Sequence, residues 1–417
     1  MKPTRCFEYR NDTLFCEDLS LQEISTRFAT PCYVYSRKSL LENLEKLQQA
    51  FPDEYCRICY AVKANSNLAI LELLASRGTG FDIVSAGELY RLRRLGVSGS
   101  RIIFSGVGKR IDEIDWAIQT RVFSLGVESI EELEMIAGRV NALKSGIAVS
   151  LRLNLDVEAE THPGISTGAK KHKFGLDTEL LPQALSVLRE NPLVRLKGIG
   201  AHIGSQIMEP HPFILAFDRL RESADELGKS GFEIEFLDIG GGFGIPYQPE
   251  ASPFRISELA SYIAENRDGR QILMEPGRFI VGPSGALVSQ VTLTKSTGGK
   301  KFMVIDAGMN DLMRPALYQA EHQILPVEGP NRPASIVDVV GPICESTDRF
   351  SESTQLPAME DGELVAIMDA GAYGSVLASN YNSRGRAAEV MVDADRHYLV
   401  RERESFEDLV RGESLLP

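Results

Sequence analysis

The chain has 417 residues, more than one ordinary domain of ~100–200 residues, so it should form a large barrel with a smaller partner, or two to three domains. With 43% hydrophobic and 25% charged residues it is composed like a globular protein, which excludes wholesale disorder. A formal net charge of −13 disfavours nucleic acid and anionic membrane surfaces as partners, and no apolar run reaches the ~18 residues of a membrane-spanning helix.

In chain order, the opening Met1–Phe7 stretch lacks the apolar segment of a signal peptide, so a cytoplasmic location is expected. The six cysteines (Cys6, Cys16, Cys32, Cys56, Cys59, Cys344) are sparse and read as free thiols. Pro31–Tyr35 reads as a strand that, with the first thirty residues, would join the sheet near the other end of the chain. Cys56-Arg57-Ile58-Cys59 spells C-x-x-C, but its two thiols face opposite sides of a strand pattern. No second such pair and no paired histidines accompany it, so no metal site is expected.

From residue 56 onward, short apolar runs alternate with amphipathic segments. The runs are Cys56–Lys63, Phe81–Ser85, Ile102–Ser105, Val122–Leu125, Ile147–Asn154, Leu196–His202, Phe236–Ile239 and Ile272–Glu275. Each ends in Gly, Ser, Asn or a charge, as buried strands do, and helical patterns or room for them lie between. Eight such units imply a (β/α)8 barrel, with a doubly wound open sheet as the alternative that periodicity cannot exclude. Beyond about residue 280 the runs Ala286–Thr294, Phe302–Ile305, Ile336–Val340, Glu363–Met368 and Ala387–Val392 stand between Gly/Pro/Asn/Asp clusters, which predicts an antiparallel β-domain. The expected boundaries are 31–277 for the barrel and 278–417 for the β-domain, joined by 1–30.

Active sites of such barrels lie at the C-terminal ends of the strands, and there the polar residues crowd. Lys63 follows the first strand, Asp82 ends the second, and Ser85 to Glu88 follow it. Arg152 and Asn154 lie on the fifth strand; His202 and Ser205 end the sixth; Asp238 leads into Gly240-Gly241-Gly242; and the eighth ends Glu275-Pro276-Gly277-Arg278. Taken alone, Lys63 is better read as a surface lysine. At the mouth of an apolar barrel its amine would be partly desolvated, which favours the neutral form and a Schiff base. The glycines let backbone N–H groups approach an anion, or simply form a tight turn. They are not the dinucleotide fingerprint, because Ile245 stands where its third glycine belongs. Glu275 could face a protonated pyridine nitrogen or pair with Arg278, and His202 could stack on a flat ring or be an ordinary core histidine. An amine, an anion cradle, a flat-ring neighbour and a pyridinium partner together describe a pyridoxal-phosphate site.

The stretches YAVKANSN, FDIVSAGEL, HPGISTG with KFG, HIGSQ, GGGFGIPY, EPGR, DAGMNDLMRPALY, GPICESTD and GAYGSVLASNYN run in order nearly end to end. In these the sequence resembles the diaminopimelate decarboxylases, of the alanine-racemase-like class of pyridoxal-phosphate enzymes that also holds ornithine and arginine decarboxylases. One departure is Gly164, where the family pattern has an aromatic residue.

The resemblance implies the barrel-plus-β-domain fold, pyridoxal 5'-phosphate, and decarboxylation of meso-2,6-diaminopimelate to L-lysine, the last step of lysine biosynthesis. It implies that Lys63 forms the Schiff base and that Asp82, His202, Ser205, Gly240, Gly241, Gly242, Pro276, Gly277, Arg278 and Tyr373 surround the cofactor. Glu275 would pair the ring nitrogen, and Cys344 would be the proton donor. Arg278, Arg314, Tyr318, Glu345 and Tyr373 would surround the substrate, in a two-fold homodimer whose sites are shared between subunits. The residue types agree with that chemistry. A thiol of reference pKa ~8.5 can protonate a carbanion, although a lone cysteine is more often inert. Arg314 and Glu345 match the carboxylate and ammonium at the far end of diaminopimelate, whereas ornithine or lysine would set an ammonium against Arg314. The rivals are a decarboxylase of a related basic amino acid, an amino-acid racemase and a non-catalytic homologue. The racemase has no use for the Arg314/Glu345 pair, and the homologue should have lost Lys63 or Cys344.

Overall fold

The computed structural model describes residues 6–157 and 173–417, so the HPGISTG stretch with Gly164 lies outside the described residues. The chain divides into two compact units, one of Leu44–Ile245 with Pro253–Phe279, the other of the residues up to Asn43 with Pro246–Ser252 and Ile280–Pro417.

In the first unit all eight apolar runs are strands: Cys56–Ala61, Gly80–Ile83, Ile102–Phe104, Ser124–Val127, Ile147–Asn154, Val194–Gly200, Phe236–Asp238 and Gln271–Met274. Every neighbouring pair is parallel, and Ile272 opposite Cys56 returns the last strand to the first, closing a barrel. The open-sheet alternative is thereby excluded. Helices follow the first seven strands, among them Leu68–Ser76, Ala86–Arg94 and Ile130–Leu143, while the eighth strand is followed only by the short Arg278–Val281 turn. Two helix starts share one device. Ser85 and Ser129 cap by accepting the N–H of Glu88 and Glu132, and each glutamate reaches back to the N–H of the residue before the cap. Cys59, Ile103, Phe236 and Leu273 from four strands meet inside the barrel. Gly198 makes room for them, since a Cβ there would stand 2.2 Å from the Phe236 ring. Cys56 and Cys59 are buried, and burial pushes both thiols up.

The second unit is built on the sheet order Arg349–Pro357, Ala334–Val340, Lys300–Ile305, Gly285–Thr297, Cys32–Ser36, Ala388–Asp393, Arg396–Arg401. Cys32–Ser36 pairs with both Gly285–Thr297 and Ala388–Asp393, so the barrel unit begins at Leu44 rather than at residue 31. The sheet is mixed rather than wholly antiparallel, with Cys32–Ser36 parallel to Ala388–Asp393 and Lys300–Ile305 parallel to Ala334–Val340. Period-two alternation is clear in Cys32–Ser36. Cys32 and Val34 join a core with Phe7, Leu14, Ile24, Ala366 and Val390, while Tyr33 and Tyr35 stack 6.1 Å apart on the other face.

Candidate active site

In the barrel unit, Lys63, His202, Gly240 and Glu275 line one cavity of about 430 Å³ with Val84, Ser105, Ser150, Arg152, Phe174 and Asp238, and Asp82 stands behind Lys63. That size suits a small ligand. Lys63 sits in the 3-10 turn Val62–Ala64 directly after the first strand. Its Nζ lies 3.2 Å from Oδ2 of Asp82, and the lysine side chain is 36% exposed while that of Asp82 is fully buried. The amine is therefore defined by an ion pair rather than by burial alone, which revises the desolvation expectation. The other Asp82 oxygen, Oδ1, is buried without a hydrogen-bond partner among the described residues.

The glycines are required by close approach. A Cβ would meet the Ala201 carbonyl oxygen at 2.6 Å from Gly240, the Glu275 carbonyl oxygen at 2.0 Å from Gly241, and the Gly204 carbonyl oxygen at 2.1 Å from Gly242. Gly240 and Gly242 also have φ of +66° and +102°, which favour glycine. The Gly240 N–H donates to Asp238 Oδ1 at 2.8 Å, and the Gly241 N–H donates to His202 Nδ1 at 3.2 Å. That second bond leaves the His202 proton on Nε2. Burial, and then the positive charges of Lys63 and Arg152, push His202 well below its ordinary range, so its face is neutral.

Glu275 moves the other way. Burial raises it well above the usual carboxylate range, and the negative charges of Asp238 and Asp82 add to the shift. Both effects favour the protonated form of Glu275, which shares a hydrogen bond with Asp238, while Ser105 Oγ donates to its Oε1 at 3.3 Å. The Pro276 carbonyl accepts from the Ala61 N–H at 3.1 Å, and Gly277 packs where a Cβ would lie 2.8 Å from Ala64, beside Lys63. Arg278 is buried and donates from Nη2 to Ser205 Oγ at 3.0 Å. An amine paired to a buried carboxylate, a buried carboxyl raised towards its neutral form, a neutral histidine and a glycine cradle fit a flat phosphorylated pyridine.

The remaining candidates belong to the β-domain unit. Arg314 is buried at the start of helix Arg314–Tyr318, with Tyr318 half-buried at its end. Cys344 and Glu345 share an exposed loop: the Cys344 N–H donates to Asn382 Oδ1 at 3.2 Å, and Tyr381 Oη donates to a Glu345 carboxylate oxygen. The NYN stretch holds that loop together with Asp348, whose Oδ2 accepts the Ile343 N–H at 2.7 Å. Tyr373 is half-buried with φ of +55°, a strained value for an aromatic residue.

Sequence reasoning set Asp238, Arg152 and Glu88 on the rim without giving them a role and did not single out Ser105. Ser105 ends the third strand and reaches Glu275; Asp238 ends the seventh and caps the glycine loop. Arg152 pairs with Glu128 at 3.0 Å and stands over the Phe174 ring. Glu88 lies beside Asp82 and is pushed up to about 7, mainly by burial. Position at a strand's C-terminal end was the available signal for Ser105, Asp238 and Arg152.

The barrel and its lysine belong to a pyridoxal-dependent decarboxylase, since the family description "Pyridoxal-dependent decarboxylase, pyridoxal binding domain" matches residues 37–282. The diaminopimelate decarboxylase of Pseudomonas fluorescens is 43% identical over 415 residues, covering 99% of this chain and 99% of that protein. The structure of diaminopimelate decarboxylase from Helicobacter pylori, complexed with L-lysine, superposes with a TM-score of 0.90 at 38% identity, covering 94% of this chain and 98% of that one. The M. jannaschii enzyme, also in complex with L-lysine, gives a TM-score of 0.94 at 36% identity over 99% and 98%. The chain belongs to the diaminopimelate decarboxylase family of the pyridoxal-dependent decarboxylases. Decarboxylation and a pyridoxal 5'-phosphate cofactor come with that membership.

Proposed function

We propose that the protein decarboxylates meso-2,6-diaminopimelate to L-lysine and carbon dioxide, closing lysine biosynthesis in the cytoplasm. The observation that carries this is the barrel-mouth constellation of Lys63, His202 and Glu275 around one cavity, with Asp82 paired to Lys63, in a chain alike end to end to diaminopimelate decarboxylases.

When bound, the cofactor supplies an electron sink for the pair left as carbon dioxide departs. Lys63 supplies the attaching amine, with Asp82 balancing its charge. Glu275 would face the ring nitrogen, with Asp238 and Ser105 holding that carboxyl in place. His202, kept neutral, would meet a flat ring without adding charge. Gly240–Gly242, Ser205, Gly277 and Arg278 would hold the phosphate side, with Tyr373 as a further candidate. Arg314 would read the distal carboxylate and Glu345 the distal ammonium, and Arg278, Tyr318 and Tyr373 are the further substrate candidates; both distal groups persist in L-lysine. The carbon that loses its carboxylate gains one proton, which Cys344 donates and solvent restores.

The working unit is a two-fold homodimer in which Lys63 of one chain acts with Cys344 and Glu345 of the other. The exposure of Cys344 in the single chain supports this, because a proton donor to a carbanion needs cover from bulk water. The direct test is to supply purified protein with meso-diaminopimelate and pyridoxal phosphate and assay L-lysine and carbon dioxide. Release of a racemised substrate without carbon dioxide would reject the proposal.

A further inference from the structure

The surroundings of Arg314 in the β-domain unit contain a device that its proposed role does not yet use. Arg314 is 5% exposed, and its Nη1 donates to His322 Nε2 at 2.7 Å. The other ring nitrogen, Nδ1, lies 2.7 Å from the Met368 carbonyl oxygen. A carbonyl can only accept, so Nδ1 carries the proton and Nε2 carries the lone pair that the guanidinium meets. The backbone thus dictates the tautomer. Tyr247 completes the arrangement, with the Arg314 guanidinium carbon 4.6 Å from its ring centroid and the His322 ring meeting it edge-on at 5.1 Å. Gln319, in the left-handed region at φ +53°, ends the short helix and leads the chain back towards His322.

The charge of Arg314 also acts on the buried Asp369, whose carboxyl burial raises to about 7. A neutral imidazole fixes one edge of the guanidinium and leaves its charge intact. The aromatic face fixes its plane in the same way. Fixing a many-rotamer side chain before the substrate arrives removes that ordering cost from binding.

We propose that His322 and Tyr247 are positioning residues that aim Arg314 at the distal carboxylate and so set the preference for ligands that carry one. This rests on the reading of Arg314 given above. The test uses holoenzyme variants, the KM of meso-diaminopimelate, and the inhibition constants of L-lysine and 1,5-diaminopentane, which differ only in that carboxylate. His322→Leu should raise the KM and the L-lysine constant about tenfold, leave kcat within about twofold, and leave 1,5-diaminopentane unmoved. His322→Gln, whose Oε1 can accept where Nε2 did, should recover most of the loss. In an Arg314→Ala background His322→Leu should add nothing. Tyr247→Leu should move the same two constants less, and it answers the question if His322→Leu does not fold. An unchanged KM in both His322→Leu and Tyr247→Leu, or all three constants rising together, overturns the positioning role while Arg314→Ala alone still discriminates. If Arg314→Ala itself raises all three equally, the reading of Arg314 fails and this proposal with it.

Discussion

The barrel unit and the β-domain unit hold their chemical groups by different means. In the barrel, Asp82, Asp238 and Glu275 sit at or just past strand ends, buried, and their position follows from the register of parallel strands. In the β-domain, Cys344 and Glu345 ride an exposed loop bonded to Tyr381 and Asn382, whereas Arg314 is buried. Burial lets the barrel tune protonation within one chain, raising Glu275 and lowering His202. Exposed groups have no such shield, so their tuning must come from whatever covers them. In the proposed dimer that cover is the second chain. On that proposal, centre-of-reaction chemistry falls to the barrel, and substrate reading and proton delivery to the β-domain.

The strongest way to break this division is Lys63→Ala. Turnover should fall by several orders of magnitude, the visible band of the bound cofactor should vanish, and the far-UV circular dichroism should be unchanged, since the side chain leaves a partly exposed turn. A borohydride-trappable adduct persisting in the variant would move the attaching amine elsewhere. Arg314→Ala should come next, lowering kcat/KM for meso-diaminopimelate roughly 10²-fold through loss of a charge-assisted pair. D-lysine has only an ammonium at its far end, and any slow decarboxylation of it should change much less. Equal falls for both would place Arg314 with the cofactor or the core rather than with the substrate.

Sharing between chains predicts a smaller, quantitative effect. Lys63→Ala and Cys344→Ala proteins, each inactive, are mixed under conditions that exchange subunits. About half the dimers are then mixed, each with one intact site of two, so roughly a quarter of wild-type activity should return. Demonstrated exchange with no recovery would put both groups in one chain's site.

The same contrast explains what could be read from the sequence. The barrel was legible because buried parallel strands are short apolar runs, and ordering those runs brings Lys63, Asp82, His202, Gly240 and Glu275 to one rim. The β-domain was only half legible. Arg349–Pro357 is a polar edge strand of sequence RFSESTQLP, and Arg396–Arg401 is another edge with exposed Tyr398 and Leu399, so neither shows an apolar signature. The mixed pairing of Cys32–Ser36 is a property of distant partners that local pattern does not encode. Cys344 and Glu345 were found through motif resemblance alone, because the bonds from Tyr381 and Asn382 that hold their loop have no periodicity. His322 was missed because an isolated histidine after a short helix carries no signal until its two nitrogens are placed.

The finest test of barrel tuning is Glu88, in the first turn of helix Ala86–Arg94. Burial raises it to about 7 and the charge of Asp82 adds to this, against the Val84 N–H, Lys63 and Arg91, which lower it. An unfolded glutamate titrates near ~4.3, so below that pH both states are protonated and Glu88 contributes no slope. Between ~4.3 and its folded value, the folded protein keeps a proton that the unfolded chain releases, and stability falls as pH rises. Above the folded value both states are ionised and the penalty is constant. Glu88→Gln is neutral throughout and can still accept the Val84 N–H, which Glu88 Oε2 accepts at 2.7 Å. The variant should therefore gain on the wild type by about 1–2 kcal/mol between pH 4.5 and 7.5, read as a widening gap in melting temperature. A gap that stays constant over that range would show that Glu88 titrates as a solvated carboxylate, and that burial tuning at the barrel mouth stops at the cavity wall.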